Sequence, residues 1–371
     1  MFKKFLTLAL YKKQLIYLVF ICVVLVVGGV MYFYFGKVTE KEVSKQMLHR
    51  EQVITRAGAE SIHSFIDLAG KSLLVLSHNP RLLVLNDQTQ TALNDFVNNW
   101  KSTPLVETIL VDKEGKAVFV TNRVVTDIEK DVSLADRDYF LWAKNAKQGE
   151  LFLGQSVQAR LGAFKDQYIV TLTTPVYKNN EFDGVLVGAI LLSKLTDNYM
   201  NPLKISDKTQ VYLVGRSGSI IYAYITPLLG VNFLDYLEKN PFTGSNVVTS
   251  AVRERFNKLT AESEGKLEYI RNDYYDKTTF NKWLLTYSTI DLSNFSQPDK
   301  RWILVIETPY ADAELFGNPF LSNQTAVLIF FILFILVSSL LEISITRTGE
   351  NEAYLKGFSQ GQKVSKTTSK K

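Results

Sequence analysis

The chain has one cysteine and three histidines among its 371 residues. The cysteine, Cys22, lies inside an uncharged apolar run, so no disulfide can close within the polar part of the chain. That part must be held by its own core. The histidines, His49, His63 and His78, fall 14 and 15 residues apart on one helical stretch, and such spacing cannot gather them around one ion within a chain. There is no Gly-x-Ser-x-Gly elbow and no phosphate loop. The acid pairs Asp112/Glu114 and Asp136/Asp138 sit in turn-forming sequence, where solvated turn chemistry explains them. These lacks argue against a catalytic centre, a metal site and any cofactor.

Charge of one sign is also missing where it would count. The formal net charge is +5, but ten of the 42 basic residues and three of the 37 acids lie at the two ends. Between the apolar runs 32 basic residues face 34 acids, a net of −2, which excludes a nucleic-acid-binding surface.

Two long apolar runs are present. Residues 15–35 are 21 positions without a charge, enough to span a hydrocarbon core of ~30 Å at ~1.5 Å per residue. Residues 326–345 carry one charge, Glu342, and with their flank predict a second membrane helix over 323–345. The first run exceeds the ~7–15 residues of a signal-peptide core, and no A-x-A-like site follows it, so an uncleaved anchor is expected. Lys3, Lys4, Lys12 and Lys13 precede the first run, while Arg347, Lys356 and four further lysines follow the second. Positive-inside logic puts both ends in the cytoplasm and the middle outside. The basic ends are suited to anionic lipid.

From 36 to 79 apolar residues recur at threes and fours (Val43, Met47, Ile54, Ile62, Phe65, Ala69, Leu73, Leu76), predicting a stalk helix that Asn79-Pro80 ends. Its lower half, 38–57, is polar enough to stand clear or to pair with a second copy. Short helices are expected over 81–100 and strands at 106–111 and 116–122. Further strands are expected at 151–157, 168–176 and 185–192, with a hairpin signal over 178–184. The strand–turn–strand logic returns at 211–224, followed by a helical piece near 233–238 and a polar insert at 240–250. Strands follow at 265–270, 283–290 and 302–307, and a helix at 311–315. A hairpin repeated about a hundred residues on predicts two copies of one fold.

Three features share one stretch: Asp136-Arg137-Asp138-Tyr139-Phe140, Thr171-Leu172-Thr173-Thr174-Pro175-Val176-Tyr177, and Gly184-Val185-Leu186-Val187-Gly188. In this order and spacing they resemble the ligand-binding half of bacterial Cache sensor domains, extracytoplasmic relatives of the PAS fold. Arg301-Trp302-Ile303-Leu304-Val305-Ile306-Glu307-Thr308-Pro309-Tyr310 is similar to the close of the second module in double Cache receptors. The expected fold is α+β. A leader (1–14) and a first anchor (15–35) precede the stalk (36–79). A membrane-distal PAS-like module (80–195) and a membrane-proximal one (196–320), both with antiparallel sheets, lead to the second anchor (323–345) and a short basic tail (346–371), read as mostly disordered.

The resemblance implies that Arg137 and its aromatic neighbours face a small-molecule pocket. A guanidinium can grip a carboxylate bidentately; alternatively Arg137 pairs with Asp131, Asp136 or Asp138 to fix the turn. Tyr139, Phe140 and Trp142 either line the pocket or form core. Thr171 and Thr173 share one face of their strand and Tyr168 the other. Gln158 offers an amide. The amino-acid-sensing subset carries a Tyr five residues before the Arg, a Trp-Tyr pair after it and an acid in the closing strand. Here Val132, Tyr139-Phe140 and Ala189 stand at those places, which favours a carboxylate or another small polar metabolite over an α-amino acid. The expected function is a small-molecule sensor that signals through its anchors to a membrane partner and dimerises through the stalk. The alternative is a binding or scaffold protein that does not switch. Most double Cache proteins run on into an output domain, and after 345 this sequence has 26 residues, most of them polar.

Overall fold

The computed structural model describes residues 2–122, 132–215, 218–223, 261–272, 280–296, 301–315 and 328–340, with 257, 343, 347, 354, 355 and 357 as isolated positions. The helix expected near 233–238, the insert at 240–250 and nearly all of the tail lie outside the described residues.

Helix α1 runs from Phe2 to Ser77. Its spacing of Ala59, Ile62, Phe65, Ile66, Ala69, Leu73 and Leu76 puts one apolar stripe on one side, and all seven are buried. Asn79 then accepts a hydrogen bond from the Arg81 amide and Pro80 opens a 3₁₀ turn, Pro80–Leu83, so the helix cannot continue. Helix α2, Asp87–Asn99, starts from a reciprocal cap between Asn86 and Thr89.

The first sheet contains β1 (Leu105–Asp112), β2 (Ala117–Asn122), β3 (Phe152–Leu153), β4 (Val157–Gln158), β5 (Tyr168–Lys178) and β6 (Glu181–Leu191). Its order is β2-β1-β6-β5-β3, with β4 also on β5. Every strand pair is antiparallel. The single strand expected at 151–157 is two short pieces. Gly154, between them, donates its amide to the Thr171 carbonyl so closely that a Cβ there would meet the Thr171 hydroxyl. The hairpin at 178–184 is tighter than its sequence suggests. Asn179 and Asn180 take φ of 54° and 67°, a two-residue turn that asparagine tolerates, and β6 starts at once with Glu181.

After β6 the chain passes through a short helix α3, Leu192–Leu195, and two further helical turns to the second sheet. That sheet contains β7 (Gln210–Gly215), β8 (Ile220–Ala223), β9 (Glu264–Asn272), β10 (Phe280–Asp291) and β11 (Arg301–Pro309). Its order, β8-β7-β11-β10-β9, repeats the first sheet's β2-β1-β6-β5-β3 path, with no counterpart of β4 among the described residues. Helix α4, Tyr310–Leu315, follows β11 directly.

One hydrophobic cluster joins the α1 stripe to Leu110, Leu172, Leu186 and Ile190 of the first sheet and to Leu213, Leu304 and Ile306 of the second. Each fully buried aliphatic chain there contributes roughly 1.5–3 kcal/mol. The lower part of α1 does not stand clear. Ser44, Met47, Leu48, Glu51, Gln52 and Thr55 are buried, and several of them bond to strands of the second sheet. The segments flanking β3 and β10 also meet, where the Ser296 amide donates to the Leu151 carbonyl (2.8 Å).

The described residues fall into two compact units, 44–316 and a second formed from 1–43 with 317–371. Among the described residues no helix is long and apolar enough to cross a membrane. The side chains of 15–35 are described only in part, and of 323–345 the described positions are 328–340 and 343. Within those parts Val19, Val26, Val30, Phe33, Phe330 and Leu340 are exposed.

Candidate functional site

The first sheet is covered on both faces, which is why β6 reads as an unbroken apolar run. One face meets α1 and α2. The other carries Ile109, Val111, Val185 and Val187 and is covered by a helical turn, Asp138–Ala143, with Tyr139, Phe140 and Ala143 inward. Alternation along β5 puts Thr171 and Thr173 on this second face. The loop after β4 closes over its far end, with Leu161 buried against the sheet.

Local sequence fixes where that covering turn sits. The Leu134 amide donates to the Gly115 carbonyl (2.7 Å), and Lys116 pairs with Ser133 as an isolated bridge. Gly115, at φ 90°, has Ala135 so close that a Cβ would lie 2.6 Å from it, so the β1–β2 turn serves as the seat of the cover. Two arginines clamp the other side. Arg137 Nη2 donates to the Gln158 carbonyl at 3.0 Å, and Arg160 grips Asp136 with both nitrogens at 2.5 and 2.6 Å. The Arg160 hydrogen bonds hold the Asp136 carboxyl at about 2, well below its ordinary range.

The residues singled out from the sequence divide clearly. Arg137 and Gln158 are brought together, but through the backbone oxygen of Gln158 rather than its amide. Arg137 pairs with none of its neighbouring aspartates among the described residues, and Asp136 belongs to Arg160 instead. Phe140 is fully buried and meets Phe182 edge-on at 6.3 Å, with the Lys144 ammonium 4.9 Å from its ring. Trp142 stacks on Phe152 at 5.1 Å. Tyr139 is buried, and loss of solvation pushes its phenol up, so it stays a neutral hydroxyl. Tyr168 lies apart from these: half-buried, it packs against the cluster shared with α1, on the face opposite Thr171 and Thr173, as the alternation along the strand implies. It is three and five positions from the two threonines, an odd offset in each case, and the pleat decides the rest.

Thr171, opposite Ala189, and Thr173, opposite Val187 and Phe152, are buried polar residues in an otherwise aliphatic layer. The Thr173 hydroxyl has no hydrogen-bond partner among the described residues. Beside them lies Glu107, which the sequence reading passed over. It stands opposite Ala189 on β1, is 1% exposed, and reaches the loop after β4, where a Cβ on Gly162 would overlap its carboxylate. The signal was available: one acid inside the apolar strand LVETILVD. A cavity of about 480 Å³ lies elsewhere, between α1 and α2, with Lys71, Val75, Asn79, Arg81, Phe96 and Trp100 in its wall.

Comparison with known proteins agrees with this architecture. The Cache domain family model matches residues 37–315, and the chain belongs to that family. No curated protein matches the sequence. Among solved structures the fold is similar to the ligand-binding domain of the Pseudomonas fluorescens chemoreceptor CtaA in complex with L-isoleucine. That match has a TM-score of 0.51 and 13% identity over 75% of this chain and 98% of that one. It is similar also to the ligand-binding domain of the Pseudomonas aeruginosa amino acid chemoreceptor PctB in complex with L-Gln, at TM-score 0.48 and 18% identity, covering 75% and 96%. The extracellular ligand binding receptor from Desulfohalobium retbaense matches at TM-score 0.47 and 12% identity over 70% of this chain, which spans 39% of that receptor. Most of the chain, from 37 to 315, is thus Cache domain.

Proposed function

We propose that the chain is a membrane-anchored, extracytoplasmic sensor whose first sheet, under the Arg137 clamp, binds a small polar molecule. Thr171, Thr173 and Glu107 would give the ligand hydroxyl and carboxylate partners, and Tyr139 a neutral phenol. The observation that carries this reading is the Thr173 hydroxyl, buried without a partner among the described residues on the same sheet face as the buried Glu107 carboxylate. A hydroxyl is costly in an aliphatic layer unless something bonds to it, and for Thr173 a ligand is one such partner. The Ala189 argument against an amine weakens, because Glu107 presents an acid from the neighbouring strand at that level. Arg137 acts in this reading by holding the cover in place through Gln158.

The exposed apolar residues of the two long runs support burial in lipid, with both ends cytoplasmic. A ligand can move those anchors only through different affinities for two arrangements of the chain. The message would then pass to a membrane partner. The full chain in detergent, screened by thermal shift against carboxylates, amines, sugars and nucleobases, tests the site. At least one class is expected to stabilise the chain, and the shift should disappear in Thr173→Val with Glu107→Gln. Stabilisation that survives both substitutions, or none from any class, would remove the site from this face.

A further inference from the structure

A second buried polar cluster lies away from the first sheet, on the seam between α1 and β11. Glu51 of α1 is 1% exposed, and its Oε1 accepts a hydrogen bond from the Thr308 hydroxyl at 2.7 Å. The Thr308 hydroxyl is 3.1 Å from that of Thr209, which is 3.2 Å from that of Ser206. The next residue of α1, Gln52, donates to the Tyr287 carbonyl (3.1 Å), and one turn along the helix the Thr55 hydroxyl meets that of Thr286 (2.6 Å). The other carboxyl oxygen of Glu51 is buried without a hydrogen-bond partner among the described residues. Hydrophobic packing alone would let the helix slide on the sheet, whereas these bonds fix one register.

The charged groups around this seam are otherwise engaged. Lys282 of β10 donates to Ser44 (2.8 Å), pairs with Glu268 (2.9 Å) and lies 4.6 Å from the centre of the Tyr310 ring. Lys208 lies 3.8 Å from Asp312 of α4, and Arg56 is held by Glu264 of β9 at 2.5 Å. The charge that acts on Glu51 from β11 is another carboxylate, Glu307.

We propose that Glu51 is a proton-operated latch: the neutral acid locks α1 to β11, and ionisation loosens that seam. Its position gives the latch a consequence. From Glu51 the same helix leads back to the first apolar run, and from Thr308 the chain leads through α4 toward the second, so the bond ties together the segments that feed both proposed anchors. Burial pushes the Glu51 carboxyl up to about 8. The Thr308 hydrogen bond opposes that rise and Glu307 adds to it. The folded seam therefore retains a proton that an unfolded glutamic acid would release near its ordinary value of 4.5. The latch is closed at lower pH and opens as pH rises through about 8.

The test is hydrogen exchange on the full chain in detergent, between about pH 6 and pH 9 with intrinsic exchange rates corrected for, reading peptides over 44–56 and 301–309. Protection of both segments should fall at the alkaline end in the natural sequence. It should be constant in Glu51→Gln, whose amide keeps an acceptor for Thr308 without a titrating proton, and its midpoint should move down in Glu307→Gln, where the carboxylate that raises the Glu51 carboxyl is gone and protection is lost at lower pH. An infrared titration of the unsubstituted chain gives a readout that does not depend on a variant folding: a protonated-carboxyl band should persist above pH 7 and vanish near about pH 8. Protection that is flat with pH in the natural sequence, or equally pH-dependent in Glu51→Gln, or the lack of any such band at neutral pH, would overturn the latch.

Discussion

Asp136 shows how far a single residue can be read without its fold. Its sequence neighbourhood suggested a solvated turn, and the partner that defines it, Arg160, is 24 positions away. No local rule places those two side chains together. Because the folded carboxyl is held down at about 2, the pair favours the folded chain above the ordinary carboxylate range, and that contribution disappears as pH falls from about 4 to about 2. Asp136→Asn should therefore flatten the acid limb of a thermal-unfolding profile over that interval. A limb unchanged by the substitution would mean that the pair does not survive in solution. Arg137 makes a similar point. Its residue type was legible and its partner, a backbone carbonyl, was not. Glu107 was legible and unused, because an acid in an apolar strand looks like an edge residue until the sheet order puts β1 between β2 and β6.

At the scale of elements, strong periodicity carried the reading. The threes and fours of α1 gave its buried stripe, and strands β1, β5, β6, β7, β10 and β11 fall where apolar runs between turn signals placed them. Weaker elements escaped. The pieces β3 and β4 are two residues each and exist because β5 offers them an edge, which is tertiary information. The Asn179–Asn180 turn also needed coordinates, since asparagine is compatible with several loop lengths. Two outcomes follow from the geometry. Leu73→Ala, at a fully buried position in the shared core, should cost about 3 kcal/mol of unfolding free energy in a denaturant titration. A β-branched residue at Asn179, where φ is 54°, should cost about 1–2 kcal/mol, whereas the same change at the exposed Glu181 should be near neutral.

For the whole molecule, the repeated hairpin was a sound guide, since both sheets share one strand order around a common helix. The stalk is less free than its polarity suggested, because the face that looked available is split. Ser44, Met47, Glu51 and Thr55 pack inward, and Gln46, Arg50 and Val53 remain exposed. If two chains pair along α1, cysteines at Gln46, Arg50 and Val53 should cross-link between copies in membranes and a cysteine at Met47 should not. An absence of cross-links at all three exposed positions would rule out pairing through this stretch. The measurement that bears most directly on the sensor reading is calorimetric titration of the full chain with the best stabiliser from the ligand screen. The account predicts one site per chain, about tenfold or more weakened in Glu107→Gln and unchanged in Arg81→Ala, which alters the cavity between α1 and α2. Affinity that is unchanged in Glu107→Gln and lost in Arg81→Ala would place the ligand on the helical side and contradict it.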